Sequence, residues 1–366
     1  MSTPIHDFAV IGAGMAGASI AAELSAYASV IVLEAEDTPG YHATGRSAAF
    51  WEECYGGPEI VPLTLASGPF LQEHGLLNSR GALYIGRESD RGTLDEFVTT
   101  FSGTGATIER LDRIALAQRV PRLKPDWRDA VWEPACADID VAGLHAHYLK
   151  ALAKADVPVM VGSQLAEAKH KEGAWEVACV SGERVRARTL VNAGGAWADE
   201  VALKSGIAPI GIEPKRRTVA QLRVAPQPPA DMPLVLDING GFYFKPEAGR
   251  IWLSPHDEIP SEPCDAAPEE MDVATALHRF EQVVDWPIEH VERKWAGLRS
   301  FARDRLPVYG PDPDQGAFIW FAGQGGFGIQ TAPAAARLTA QRLLGNAADS
   351  LTVNICYETY DPSRFR

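Results

Sequence analysis

The 366-residue chain has no apolar run approaching the about 18 residues that a membrane-spanning helix needs, so no span is expected. Positive charge is in short supply: 34 Lys and Arg stand against 48 Asp and Glu, a formal net charge of −14. Nucleic acid and anionic membrane surfaces do not attract such a protein, and neither is expected as a partner. Any anionic ligand must then be held by local devices, such as helix ends, backbone amides and a few chosen arginines. Cysteines are scarce and scattered. Cys54, Cys136, Cys179, Cys264 and Cys356 are odd in number and show no C-x-x-C spacing. That excludes a disulfide framework and a zinc site, and reduced thiols in a cytoplasmic protein are the expectation. The first strand candidate lies so close to Met1 that no signal peptide is expected. Repeats and low-complexity segments are missing too. What is there, 46% hydrophobic and 22% charged residues, suffices for two domains with cores of their own.

The most informative stretch is His6–Glu34, which reads as strand, glycine turn, helix, strand. Phe8–Ile11 is a short apolar run of the kind a fully buried parallel strand shows. Gly12, Gly14 and Gly17 follow in G-x-G-x-x-G spacing and open a small-residue helix that includes Met15 and Ala16. The first glycine makes the turn, the second lets backbone approach a pyrophosphate, and the third lets helix pack on strand. The pyrophosphate then rests on the helix N-terminus. A second apolar run ends on Glu34, 22 residues after Gly12, where a carboxylate accepts ribose hydroxyls and disfavours a 2′-phosphate. A lone G-x-G-x-x-G is weak, but this one has the strand before, the helix after and the acid at the right distance. FAD or NAD is the expected ligand.

Two later glycine segments favour FAD. Thr189–Ala198 is an apolar strand running into Ala193-Gly194-Gly195-Ala196-Trp197, and Ala317–Ala322 runs into Gly323-Gln324-Gly325-Gly326-Phe327-Gly328-Ile329-Gln330-Thr331. The second loop enters a helix over 334–344 that ends at Gly345, and such a helix can aim its positive end at a flavin ring that gains negative charge on reduction. Between these markers, Leu83–Ile85 is a strand candidate, 94–101 and 116–122 are short helices, and 121–132 is a proline- and charge-rich loop. A helix runs to Lys154, Gln164–His170 and Trp175–Cys179 form a hairpin, residues 210–295 alternate as antiparallel sheet with a helix over 269–284, and Trp295–Phe301 re-enters the nucleotide domain. The expected fold is therefore α/β: a discontinuous Rossmann-type FAD-binding domain (1–77, 136–209, 295–366) with an inserted α+β substrate domain (78–135, 210–294) on an antiparallel sheet.

Behind Glu34 lies Gly40-Tyr41-His42-Ala43-Thr44-Gly45-Arg46-Ser47-Ala48-Ala49. This run, so placed behind an N-terminal G-x-G-x-x-G, resembles the D-amino-acid oxidase-like flavoproteins, and within them the bacterial D-arginine dehydrogenases. The resemblance covers nearly the full length and implies a glutathione reductase-like nucleotide fold. It implies noncovalent FAD, since the run from Arg299 to Gly310 carries no cysteine. It implies that Thr44, Arg46, Ser47 and Ala48 run along the flavin, and that Ala35, Leu165, Ala193, Gly194, Trp197 and Gly325–Thr331 also contact the cofactor. Arg217 and Arg299 match the pair that holds a substrate carboxylate, Tyr55 and Tyr243 match two pocket tyrosines, and Gln330 matches an active-site glutamine. An arginine among apolar neighbours is costly without an anion, which agrees with that role. Alternation puts Arg216 on the opposite face from Arg217, as a solvated residue.

The implied reaction moves the Cα hydride of a D-amino acid to flavin N5, giving an imino acid that water hydrolyses to 2-oxo acid and ammonia. The substrate ammonium must first lose a proton, so activity should rise toward alkaline pH. No side-chain base is evident. His145 and His147 are expected to be surface and packing residues, and His42 either contacts the cofactor or is solvated. Two departures bear on the substrate. Ala82 stands where the resembled proteins carry a glutamate, which argues against a basic side chain, and Phe50 stands where they carry a histidine. Glu52, two residues on, either supplies a substitute carboxylate or is a solvated charge like Glu53. Gly326 completes the expected pocket. Apolar or broad D-amino acids are the expected substrates, with oxygen or a quinone-type carrier as electron acceptor. Glycine, sarcosine or another amine, and a 2-hydroxy acid, are the alternatives.

Overall fold

The computed structural model describes residues 4–365. Strand β1 (Ile5–Ile11), helix α1 (Met15–Ser25) and strand β2 (Val30–Leu33) form the expected unit and the centre of an eight-stranded sheet. β1 pairs in parallel with β2 on one side and with Arg184–Asn192 on the other. Val159–Met160 extends the parallel order beyond β2, and Phe318–Ala322 extends it beyond the end of Arg184–Asn192. Where they pair side by side, at Phe8–Ile11, Val30–Leu33, Leu190–Val191 and Phe318–Ala322, these strands are apolar because both faces are covered. Val10, Val32 and Ile319 pack with Ile20 and Leu24 of α1 and with Ala335 and Leu338 of the C-terminal helix Ala332–Leu344. Ala9, Ile31 and Trp320 join Trp175 and Val177 of the hairpin and Val201 of helix Ala198–Lys204.

The second sheet has ten strands and is almost wholly antiparallel. Its longest pair is Glu213–Val224 against Ile288–Phe301. Arg250–Ser254, Tyr243–Glu247, Leu234–Asp237, Ala82–Arg87, Trp127–Glu133 and Glu109–Leu111 follow in that order, and only Leu234–Asp237 with Ala82–Arg87 is parallel. Alternation sorts its faces. Ala220, Leu222, Phe244 and Leu253 pack under helix Glu270–Val283, while Arg217, Val219, Leu234, Leu236 and Tyr243 face the other way, into a cavity against the first sheet.

Three expectations need correction. Trp295–Phe301 does not re-enter the nucleotide sheet: it is the second half of a strand whose whole length is hydrogen-bonded to Glu213–Val224. Residues 127–132 are strand rather than loop, because the proline-rich character is confined to the turn before Trp127 and every core-facing residue from Trp127 to Glu133 is buried. The helix expected over 116–122 runs from Arg113 to Arg119, since Pro121 cannot continue it and Arg122 takes a positive φ of 60°. At its far edge the second sheet gains the two-residue strand Gln324–Gly325, which pairs with Ser300–Phe301 and leads into the C-terminal helix.

Candidate active site

One long cavity runs between the sheets. Its first third is backbone. Gly12, at φ 101°, carries β1 past Ala193, whose carbonyl oxygen would lie 2.6 Å from any Cβ at that position. A Cβ at Gly17 would run into the Gly12 carbonyl, so the turn and the helix close only on glycine. Gly14 caps α1 without a side chain, and α1 presents its first turn, Met15 and Ala16, to the cavity. Such first-turn amides lack helical partners; here Thr44 Oγ1 accepts from Met15 N at 2.9 Å. Glu34, 8% exposed, accepts from Ala13 N at 2.6 Å and Glu36 N at 3.0 Å and lines the same end with Ala35 and Leu165. Side-chain-free amides at a helix start, with an acid at the end of the next strand, fit a dinucleotide.

The middle of the cavity is walled by Arg46, Ser47 and Ala48 on one segment and by Ala193, Gly194 and Trp197 on another. The Arg46 side chain is already committed. Its guanidinium pairs with Asp265 and donates to the carbonyls of Ala266 at 2.9 Å and Ala296 at 3.3 Å, and Tyr41 OH donates to the same Asp265 at 3.2 Å. Arg46 therefore clasps the 261–268 strap over the cavity, and its charge is not aimed at the glycine turn. His42 bonds Glu36 at 2.9 Å and packs on Trp197. His145 is buried, with Nε2 2.8 Å from the Ala13 carbonyl, which makes it a prop behind the glycine turn.

At the far end two guanidinium groups converge. Arg217 stands opposite Gly297 in the ladder, and Arg299, opposite Lys215, is its diagonal neighbour on the same face. Gly297 has no side chain to separate them. Arg217 is 7% exposed; its Nε donates to the Asp257 carbonyl at 2.7 Å, its Nη2 is buried with no hydrogen-bond partner, and Glu258 lies 3.6 Å away. The guanidinium sits 5.8 Å from the Tyr243 ring centre. Arg299 donates to Tyr55 OH and meets Glu258 at 3.3 Å. Burial pushes the Arg299 guanidinium down to about 9, with Arg305 adding repulsion, and burial lowers Arg217 as well. Both want an anion. Tyr55 and Arg299 meet where Gly326 lets them, since a Cβ there would collide with both.

Several expected residues turn elsewhere. Phe327, Gln330 and Thr331 do not line the cavity. Phe327 belongs to the core under the first sheet, and Thr331 is fully buried with its hydroxyl on the Phe327 carbonyl. Gln330 is a strut: its amide donates to the Glu52 carbonyl at 3.1 Å and Thr64 Oγ1 at 2.8 Å. The wall on this side is Gly325, Gly326, Gly328 and Ile329. Ala82 is buried behind the cavity rather than on it, so its exchange for an acid says little about the ligand. Arg216 is not solvated but pairs with Glu269 and with Asp272 at 2.9 Å, on the helix face. Glu52 and Glu53 are likewise buried, and Glu52 lines the cavity beside Phe50.

Sequence reasoning missed His256, which lines the cavity edge-on to Tyr243 at 5.7 Å. Burial, then Arg217, drives it down to about 3, so it is neutral. Nothing in the sequence around it signals a site. Tyr84 was missed for the same reason: it reads as one core residue of a strand, yet its hydroxyl finds Glu52.

The sequence model of the DAO family, FAD dependent oxidoreductase, matches residues 7–342. The chain belongs to this family. As a DAO-family protein it uses FAD, and the glycine-rich end of the cavity is built for it. The DAO-family protein is 24% identical over 358 residues to the glycine oxidase of Geobacillus kaustophilus (strain HTA426), covering 92% of each chain. The crystal structure of glycine oxidase from Geobacillus kaustophilus superimposes with a TM-score of 0.85 over 99% of both chains at 21% identity. That of L-proline dehydrogenase from P. horikoshii gives 0.86 at 21% identity, over 100% of this chain and 98% of the other. These likenesses establish the DAO fold. Among the described residues, no helix is long and apolar enough to cross a membrane.

Proposed function

We infer that the protein is an FAD-dependent α-amino-acid dehydrogenase or oxidase that takes D-isomers. The observation that carries this reading is the buried pair Arg217 and Arg299 on the cavity wall, with Arg217 Nη2 lacking any hydrogen-bond partner. A substrate carboxylate satisfies it with charge-assisted hydrogen bonds. Tyr55 steadies Arg299, the Tyr243 ring flanks Arg217, and Phe50, Leu234 and Leu236 form an apolar wall that excludes water from the reacting carbon. Fixing the carboxylate fixes the Cα–H, and positioning of this kind supplies much of the rate. Bound FAD supplies the hydride acceptor. The product is an imino acid that hydrolyses to 2-oxo acid and ammonia. The D-configuration rests on the resemblance of the 40–49 loop and of Tyr55, Arg217, Tyr243 and Arg299 to the D-arginine dehydrogenases. Oxygen or a quinone-type carrier reoxidises the flavin, and the cofactor is held without a covalent bond.

A second reading, oxidation of glycine or a small secondary amine, is favoured by the likeness to glycine oxidase. Anaerobic mixing of the yellow holoenzyme with D- and L-amino acids separates the two. Fading with D-isomers is expected, fading only with glycine or N-methylated amines supports the second, and no fading with any of them overturns both. Acid precipitation is expected to leave a colourless pellet.

A further inference from the structure

One stretch of the cavity wall carries an acid that the arginine grip does not use. Glu52 opens the turn that ends at Tyr55, with Tyr55 N–H donating to the Glu52 carbonyl at 3.3 Å, so the partner of Arg299 and this acid belong to one rigid turn. Gln330 locks that turn from behind by bonding both the N–H and the carbonyl of Glu52, at 3.4 and 3.1 Å. Glu52 is 2% exposed and is one of the residues that line the cavity. One carboxylate oxygen accepts from Tyr84 OH; among the described residues the other has no hydrogen bond, and no basic side chain pairs with Glu52.

The surroundings make this placement costly. Glu133, fully buried, accepts from Glu53 N at 2.6 Å and Cys54 N at 3.4 Å, and Glu53 accepts from Thr107 N at 2.7 Å. The titratable groups around Glu52 are therefore Tyr84, Glu53, Cys54, Glu133 and Cys136, and no cation stands among them. Lys245 and Arg80 are engaged by Asp138. Burial lifts Glu52 to about 7, and burial together with repulsion from Glu52 raises Glu133 as well. Packing alone would be served better by glutamine, because a buried acid without a cation is destabilising.

We propose that Glu52 is the seat for an ammonium group of the bound ligand, its free carboxylate oxygen accepting the hydrogen bond and taking up one ammonium proton. The proton leaves nitrogen and joins the carboxylate, giving a neutral amine and a neutral acid, and no electrons move. This rests on the reading that Arg217 and Arg299 hold the ligand's carboxylate. It gives a zwitterion one charged wall for each of its ends, and where the ammonium is the α-amino group it supplies the deprotonated amine that C–H oxidation requires. The ammonium is either the α-amino group or one at the end of a side chain, and the test tells them apart.

The test titrates the flavin absorbance of the holoenzyme with paired probes that lack an oxidisable α-amino carbon. Isobutyrate and 2-aminoisobutyrate differ only by an α-ammonium; pentanoate and 5-aminopentanoate differ only by a distal one. In one pair the amine-bearing member is expected to bind about 10- to 100-fold more tightly, the range of a hydrogen bond to a charged group. Glu52→Gln should abolish that advantage and leave the plain carboxylates within about twofold of wild type. Tyr84→Phe keeps the acid but removes a bond that lowers its pKa, so the advantage should persist and appear only at higher pH. Equal binding within both pairs, or an advantage that survives Glu52→Gln, overturns the proposal. If no carboxylate perturbs the flavin at all, the arginine grip is what fails, and the proposal falls with it.

Discussion

The two ends of the cavity are built by different means. At the Gly12–Glu34 end the wall is main chain: amides at the start of α1, a turn that closes only on glycine, and one carboxylate held by two backbone N–H groups. At the Arg217–Arg299 end it is side chain: two guanidiniums, two tyrosines and an acid, drawn from four separate stretches of sequence. The glutamates make the contrast sharp. Glu34 accepts from two backbone amides, whereas Glu52 is buried with a single Tyr84 hydroxyl to favour its charge and burial to resist it. A backbone site is generic and recognises what every dinucleotide shares. A side-chain site is particular, and it is the end that a change of substrate would rebuild.

Substitutions that respect this division should have separable effects, and the largest belongs to the backbone end. Gly12→Val places a branched side chain at φ 101° against the Ala193 carbonyl, and the purified protein should be colourless or fail to accumulate, as its flavin-to-protein ratio will report. Yellow protein at full occupancy would mean that the turn does not carry the cofactor. Next is Arg217→Met, which should keep full flavin content while kcat/KM drops about 10²- to 10³-fold, the range for stripping one partner from a buried charge pair. Arg217→Lys should recover little of this, for want of the planar fork. A loss of flavin in either variant would blur the two ends into one.

Third comes pH. Glu52 is raised on folding from the usual 4.5 to about 7, so the neutral acid costs the fold nothing below 4.5, and stability drains away as the pH climbs from there to about 7. Glu52→Gln should therefore gain on wild type across that window, by roughly 3 kcal/mol at its upper end, and hold a constant lead above it. Denaturant titrations at pH 4.5 and 8 measure the difference, and a lead that is the same at both would refute the assignment. The smallest effect is Tyr55→Phe, which removes the donor–acceptor contact to Arg299 and should raise KM about 5- to 10-fold with little change in kcat.

The same division governs what was legible beforehand. Gly12, Gly14, Gly17 and Glu34 announce themselves because their spacing is dictated by local geometry, and all four stand where the spacing puts them. The hairpin and the alternation of residues 217–254 were readable for the same local reason. Arg217 and Arg299 could be named only by resemblance, since their meeting depends on a ladder register across 82 residues of sequence. Trp295–Phe301 was assigned to the wrong sheet because an apolar run does not say which edge it will join. From sequence Glu52 reads equally as a pocket carboxylate or as a solvated charge beside Glu53, for adjacent acids usually are solvated; only the fold reveals Tyr84 and Glu133 beside them. Gln330 was identified as a site residue for its family position, yet its contacts make it a brace.

The short pairing of Ser300–Phe301 with Gln324–Gly325 has a mechanical outcome. Arg299, one residue before that rung, and Gly326, one residue after it, are joined through amide hydrogen bonds rather than through a flexible linker. The two stretches of cavity wall that carry Arg299 and Gly326 thus form one stiff bracket. The spacing between Arg299 and Gly326 is therefore set when the chain folds, before anything enters the cavity.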